Sequence, residues 1–163
     1  MKGIRRKEKT IEDYNEMKDV IKKAAHITIA ICKDNVPYLV TLSHSYDPDQ
    51  NCIFFHCAKE GKKLDYLSEN NIVWGQALID KGYVQGACDH LYITTQFKGK
   101  VGFIENFEEK KQALISMINK LDNNPKKVIE QQLSEKSISR VNIGRIDIEY
   151  MSGKKAKNVI ISL

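Results

Sequence analysis

The stretch Ile53-Phe54-Phe55-His56-Cys57-Ala58-Lys59-Glu60-Gly61-Lys62-Lys63-Leu64-Asp65-Tyr66-Leu67 gathers the groups best able to do chemistry. It reads as a strand that ends, a short turn, and a helix that opens on Gly61 and two lysines. The first N–H groups of a helix have no partner within it, and the dipole there favours an anion. A lysine adds a point charge, and a glycine lets backbone and ligand approach closely. Lysines in a first turn oppose the helix dipole, and a facing phosphate would offset that cost. The residues leave two readings open, a phosphate cradle at Gly61, Lys62 and Lys63 or a solvated charged turn.

Other reactive side chains carry weaker signals. The four cysteines, Cys32, Cys52, Cys57 and Cys88, show no pair two residues apart, so neither a disulfide framework nor a metal knuckle is indicated. Cys32 and Cys57 sit in apolar strand-like runs and read as small core residues. The histidines show no metal-ligand spacing, and His26, His44 and His90 read as structural. Trp74 and Tyr83 leave a pocket or a subunit seam open beside the commoner core reading.

These groups must be positioned by the elements around them. Ile11, Tyr14, Met17, Ile21 and Ala24/Ala25 recur at helical spacing, with Thr10 as the expected cap. Ile27–Cys32 and Val36–His44 read as strands joined by a Lys33-Asp34-Asn35 hairpin turn. A turn at Asp47–Asn51 leads to a strand over Cys52–Cys57, and a short helix is expected within Gly61–Asn70. Ile72–Ile79 reads as a strand, Asp80-Lys81-Gly82 as a turn, and Tyr83–Ile104 as one or two further strands. Helices are expected over Glu108–Leu121 and Lys126–Leu133, and closing strands over Val141–Tyr150 and Ala156–Ser162. Most strands follow one another through tight turns, which suits antiparallel pairing better than a parallel sheet.

With 163 residues, the chain suits one domain over residues 1–163. Its 42% hydrophobic and 29% charged residues are those of a soluble globular protein. No apolar run suits a membrane span, and the charged N-terminus lacks the core of a secretory signal, so a cytoplasmic setting is expected. The net charge of +5 gathers near the ends, at Lys2–Lys9 and Lys154–Lys157, and leaves the body slightly acidic. A nucleic-acid reader carries its charge along the folded body, so that partner class is not expected.

Several motifs in order resemble the FMN-binding pyridoxamine-phosphate-oxidase-like family, and most closely its 5-nitroimidazole-resistance (Nim) branch. Arg5-Arg6-Lys7-Glu8-Lys9 before a helix is similar to the family's basic opening. Val36-Pro37-Tyr38-Leu39-Val40-Thr41-Leu42 resembles the strand beneath the flavin, with Thr41 where proline is usual and His44 where an aromatic is usual. Phe55-His56-Cys57-Ala58 followed by Gly61-Lys62-Lys63-Leu64 is close to the family signature, with Cys57 for the usual serine. Tyr92-Ile93-Thr94-Thr95 through Gly99-Lys100 to Phe103–Lys110 aligns without a gap, Thr94 standing where serine is typical. Gln96-Phe97-Lys98 departs from the family's apolar, glycine-containing turn.

The resemblance implies a mainly β, α+β fold: an antiparallel Greek-key split β-barrel with N-terminal and inserted helices. It implies a homodimer with FMN at the subunit interface. Charge placement and hydropathy give no nucleic-acid or membrane partner, and the ligand spacing gives no metal. Carried over, Val40, Thr41 and Leu42 present backbone groups to the flavin ring, and His56 and Cys57 lie near the ring or ribityl chain. Lys62 and Lys63 hold the phosphate, and Thr94 donates a hydroxyl hydrogen bond. The implied activity is an NAD(P)H-dependent oxidoreductase, a nitroreductase or flavin reductase acting on a small acceptor, with no catalytic residue assigned. The alternative is a non-catalytic flavin- or haem-binding protein, with His56 as the candidate iron ligand.

Overall fold

The computed structural model describes residues 4–157 and 159. A 3-10 turn at Lys7–Lys9 precedes β1 (Thr10–Ile11), α1 (Tyr14–Lys23), β2 (Ile27–Lys33), β3 (Val36–Leu42), β4 (Ser45–Asp47) and β5 (Cys52–Cys57). Then come α2 (Lys62–Glu69), β6 (Ile72–Val84), β7 (Asp89–Ile104), α3 (Phe107–Leu121), α4 (Pro125–Gln132), α5 (Glu135–Arg140) and β8 (Asn142–Lys155). The strands form one sheet in the order β3-β2-β6-β7-β8-β5-β4, with β1 added on β8. Every pairing is antiparallel, and the fold is the mainly β split barrel that the motifs imply.

Local chemistry explains most junctions. Asp34 and Asn35 both take positive φ, 50° and 62°, as a two-residue hairpin with the right-handed strand twist requires. Asn106 caps α3 by accepting from the Glu109 amide at 3.1 Å, and Pro125 opens α4 where a missing N–H costs nothing.

Four expectations are corrected. Asp13, not Thr10, caps α1, accepting from the Asn15 amide at 2.8 Å, while Thr10 and Ile11 pair with Lys154 and Gly153 of β8. Asp80-Lys81-Gly82 is a bulge within β6 rather than a turn, because Asp80 accepts from the Gly82 amide at 2.7 Å and pairing then resumes at Gly82. β3 ends at Leu42, so His44 lies beyond it, fully buried against α1. Ala156 and Lys157 lie outside β8, and the rest of the expected strand to Ser162 lies, Val159 apart, outside the described residues.

The inner face of the sheet is apolar. Ile27, Ile29 and Ile31 of β2 meet Ile53 and Phe55 of β5 and Phe97 of β7, and Met17, Val20 and Ile21 of α1 close the barrel over them. Two glycines make room for the largest rings. A Cβ on Gly75 would lie 2.2 Å from the Phe97 ring, and one on Gly144 would lie 2.1 Å from Phe55, each its cross-strand partner. Thr95, the buried polar residue of this face, donates to the Met17 carbonyl at 3.0 Å and so fastens α1 to β7. On the other side of β5 and β8, Ala113 and Met117 of α3 pack on Ile143 and Phe54.

Among the described residues, no helix covers the outer face of β3, β2, β6, β7 and β8. The register sets two adjacent rows across it, Leu39–Ala30–Trp74–Lys98–Tyr150 and Thr41–Thr28–Gln76–Gln96–Ser152. Leu39 is 65% exposed and Trp74 39%, so the core reading of Trp74 is overturned, as it is for Tyr83 at the hairpin end. No helix among the described residues is long and apolar enough to cross a membrane.

Candidate functional site

Helix α2 begins where the lysines predict it. Gly61 precedes it at φ 126°, a backbone conformation that side chains rarely adopt, and no side chain caps the helix. The Leu64 amide turns back to the Gly61 carbonyl at 2.8 Å, which leaves the Lys62 and Lys63 amides as the orphan donors of the first turn. A cavity of about 260 Å³ opens in front of them, lined by Tyr38, Cys57, Ala58, Glu60, Gly61, Lys62, Lys63 and Leu64, so one carboxylate shares the wall with the two lysines. Lys33 of β2 pairs with Glu69 at the far end of α2 and holds the helix against the sheet.

Two aromatic rings frame this cradle. Tyr38 and Tyr66 lie 5.4 Å apart at 57°, and the Lys62 ammonium sits 4.3 Å from the Tyr38 centroid. Lys63 lies 5.4 Å from the Phe55 ring, at the end of the barrel core. Both ammoniums therefore rest against aromatic rings, whose quadrupoles attract them. Burial pushes the Cys57 thiol pKa up, and the Lys63 charge opposes that shift. The thiol is therefore protonated at neutral pH and acts as a small packing group at the cavity wall.

The other expected residues divide between two places. Thr41 lies on the outer face, its hydroxyl 3.2 Å from that of Thr28, while Val40 and Leu42 point inward, half-buried and buried. Among the described residues β3 pairs only with β2, which leaves part of its backbone open along the outer edge. Tyr38 and Leu39 are successive residues on opposite faces of that edge, one in the cradle and the other in an outer groove of about 270 Å³. Thus β3 joins the cradle to the outer face, and Tyr38 to Thr41 span roughly 10 Å at the usual strand rise.

Thr94 is buried on the outer face, where its hydroxyl donates to the Ala77 carbonyl at 2.8 Å and accepts from Gln76 at 3.0 Å. His56 does not join the cradle. It is exposed on the face of β5 opposite Cys57, opposite Ile143 in the register. The sequence reading missed Tyr66 and Gln76 as site residues. Tyr66 stands one helical turn after Lys62, and Gln76 interrupts the outward alternation of Trp74 and Leu78, which are the signals that could have marked them.

A larger cavity, about 550 Å³, lies between α3 and β4, β5 and β8, and none of the expected residues lines it. Its one arginine, Arg145, is already bound, to Asp147 and to Gln50, each at 2.7 Å. The smaller cavity at the start of α2 carries two lysines, one glutamate and two uncommitted backbone amides.

The antiparallel split barrel, with its glycine-lysine helix start beside an edge strand, defines the class of fold. The chain belongs to the pyridoxamine 5'-phosphate oxidase family, whose profile matches residues 13–155. No curated protein matches the sequence. A candidate 5-nitroimidazole antibiotic resistance protein from Bacteroides thetaiotaomicron is 25% identical, with TM-score 0.76, covering 89% of this chain and 85% of that one. The flavocytochrome Anf3 from Azotobacter vinelandii superposes with TM-score 0.80 at 14% identity, covering 98% of this chain and 74% of that one. A FAD-binding protein from Mesorhizobium loti gives TM-score 0.66 at 21% identity, covering 91% and 97%. The last two likenesses concern the fold.

Proposed function

We propose that the protein binds FMN and works as an oxidoreductase that uses NAD(P)H to reduce a small acceptor such as a nitroaromatic, a quinone or a second flavin. The observation that carries this reading is the start of α2, where Gly61, Lys62 and Lys63 line one cavity with two amides uncommitted, beside the open edge of β3. Those donors suit a phosphate dianion, so the residues present fit the cofactor. Membership of the family and the solved proteins described as flavin-binding support the same ligand class.

Lys62 and Lys63 would hold the phosphate, and the β3 edge at Val40–Leu42 would offer backbone groups to the ring. Bound flavin would supply the two-electron chemistry, while the protein orients it and excludes water. The exposed Leu39, Trp74 and Leu78 of the outer face are suited to burial against a second subunit, which supports the homodimer. Cys57, its thiol held protonated by burial, would offer a weak S–H donor at the cavity wall.

The test is the visible spectrum of the purified protein with added FMN, before and after anaerobic NADH or NADPH. Flavin bands that bleach support the reductase. Bands that persist leave a flavin-binding role, and an intense band near ~400 nm marks haem instead. A protein that takes up no FMN, or a Lys62→Ala/Lys63→Ala variant that binds FMN as tightly as the parent, removes the cradle assignment.

A further inference from the structure

The hydrogen-bond pattern at Thr94 determines which group of the outer face is free to meet a ligand. The Ala77 carbonyl only accepts, so the single hydroxyl hydrogen of Thr94 is committed to it at 2.8 Å. Gln76 must then approach Thr94 through its amide nitrogen, which fixes the otherwise ambiguous orientation of the carboxamide. Among the described residues, the Gln76 carbonyl oxygen has no hydrogen-bond partner. One side chain therefore carries an unused acceptor beside its second N–H, on a half-buried residue that lines the outer groove.

The surroundings narrow the ligand chemistry. Thr41, Thr28, Gln76, Gln96 and Ser152 form a row of neutral hydrogen-bonding side chains across five strands, with no charged member. Neighbouring strands are about 4.8 Å apart, so Gln76 stands roughly 10 Å from Thr41 on the edge strand. Trp74 borders the same groove and offers it an aromatic wall. A carboxamide pairs best with an edge that presents N–H and C=O side by side, as glutamine does when it reads a base edge.

We propose that Gln76 contacts the ring system of the bound ligand, pairing with a neutral imide-type edge, and that Thr94 is the positioning residue that aims it. This assigns Thr94 an indirect role in place of direct donation to the ligand, and it rests on the flavin-binding reading above. The ring contact at Gln76 and the phosphate contact at Lys62 and Lys63 are then separable.

Equilibrium binding of FMN and of riboflavin, read by quenching of flavin fluorescence, separates them. Gln76→Leu lowers affinity for both flavins by the same factor, about 5- to 10-fold for one lost hydrogen-bonding group. It also shifts the absorption maximum of bound flavin. Lys62→Ala weakens FMN but not riboflavin. Thr94→Val behaves as Gln76→Leu, the double variant is no weaker than either, and Thr94→Ser restores parental binding. Gln76→Glu, nearly isosteric, gives the same loss and keeps the experiment decisive where Gln76→Leu does not fold. A parent that binds riboflavin while both Gln76 variants bind it equally well overturns the inference alone. So does additive loss in the Thr94→Val/Gln76→Leu pair, which means direct contact by Thr94. A parent that binds neither flavin removes the flavin reading and this inference together.

Discussion

Replacing His44 by phenylalanine is expected to remove much of the acid sensitivity of the fold. His44 is fully buried, its Nε2 lies 2.8 Å from the Ile21 carbonyl, and the Lys120 ammonium of α3 lies 2.9 Å from Nε2 and 3.3 Å from Nδ1. The carbonyl only accepts, so Nε2 carries the hydrogen and Nδ1 is the atom that Lys120 can address. Burial first, then the Lys120 charge, pushes the His44 pKa from 6.5 down to about 4, against the Ile21 hydrogen bond that raises it.

The native state thus resists a proton that the unfolded chain accepts near pH 6.5. Stability is complete above that value, falls as pH drops through the window down to about 4, and then levels off. Between pH 7 and pH 5 the loss is about 2 kcal/mol, or roughly 1 M in a urea midpoint. Urea unfolding followed by far-ultraviolet circular dichroism at both pH values measures it. His44→Phe keeps an aromatic ring of similar size, so its midpoint moves less than the parental one. An equal drop in the two proteins refutes the reasoning. Lys120→Met removes the charge that disfavours imidazolium, and its acid loss is also smaller than the parent's.

Two further outcomes follow from packing. Gly75→Ala forces a Cβ to within 2.2 Å of the Phe97 ring and is expected to cost at least ~2 kcal/mol in thermal or urea unfolding, whereas Gly86→Ala meets no atom within 4 Å and is limited to its positive-φ strain. With a thiol reagent at neutral pH, exposed Cys88 reacts first, while buried Cys52, its thiol pKa pushed up to about 11 by burial, and Cys57 react only in denaturant. Rapid labelling of Cys57 in the folded protein contradicts the burial drawn here.

Much of the scaffold was legible because its signals are local. Asp34-Asn35 announces a hairpin through two residues that tolerate positive φ, and Asn106 announces α3 through its side-chain oxygen. Asp80-Lys81-Gly82 has turn composition, yet the bulge keeps β6 running to Val84, because composition does not distinguish a turn from an unpaired residue in a ladder. Ser45–Asp47 is too short to display a period and was not read as a strand. The start of α2 was legible from Gly61-Lys62-Lys63, whereas His44–Lys120 and Gln76–Thr94 were not, since 76 and 18 residues separate the partners. Helix α3 packing over the loop after β3 makes the first pair, and the β6–β7 register makes the second.

The pairing of β1 with the end of β8 also has a consequence for biosynthesis. Residues 142–155 supply the partner for β1, β5 and β7, so three strands made earlier have no neighbour on that side until this last one is delivered. A nascent chain therefore waits with open edges, and the sheet does not close until residues 142–155 have been delivered. Chains truncated ahead of Asn142 lose the seam of the sheet and are expected to need chaperone capture rather than to persist as smaller folded units.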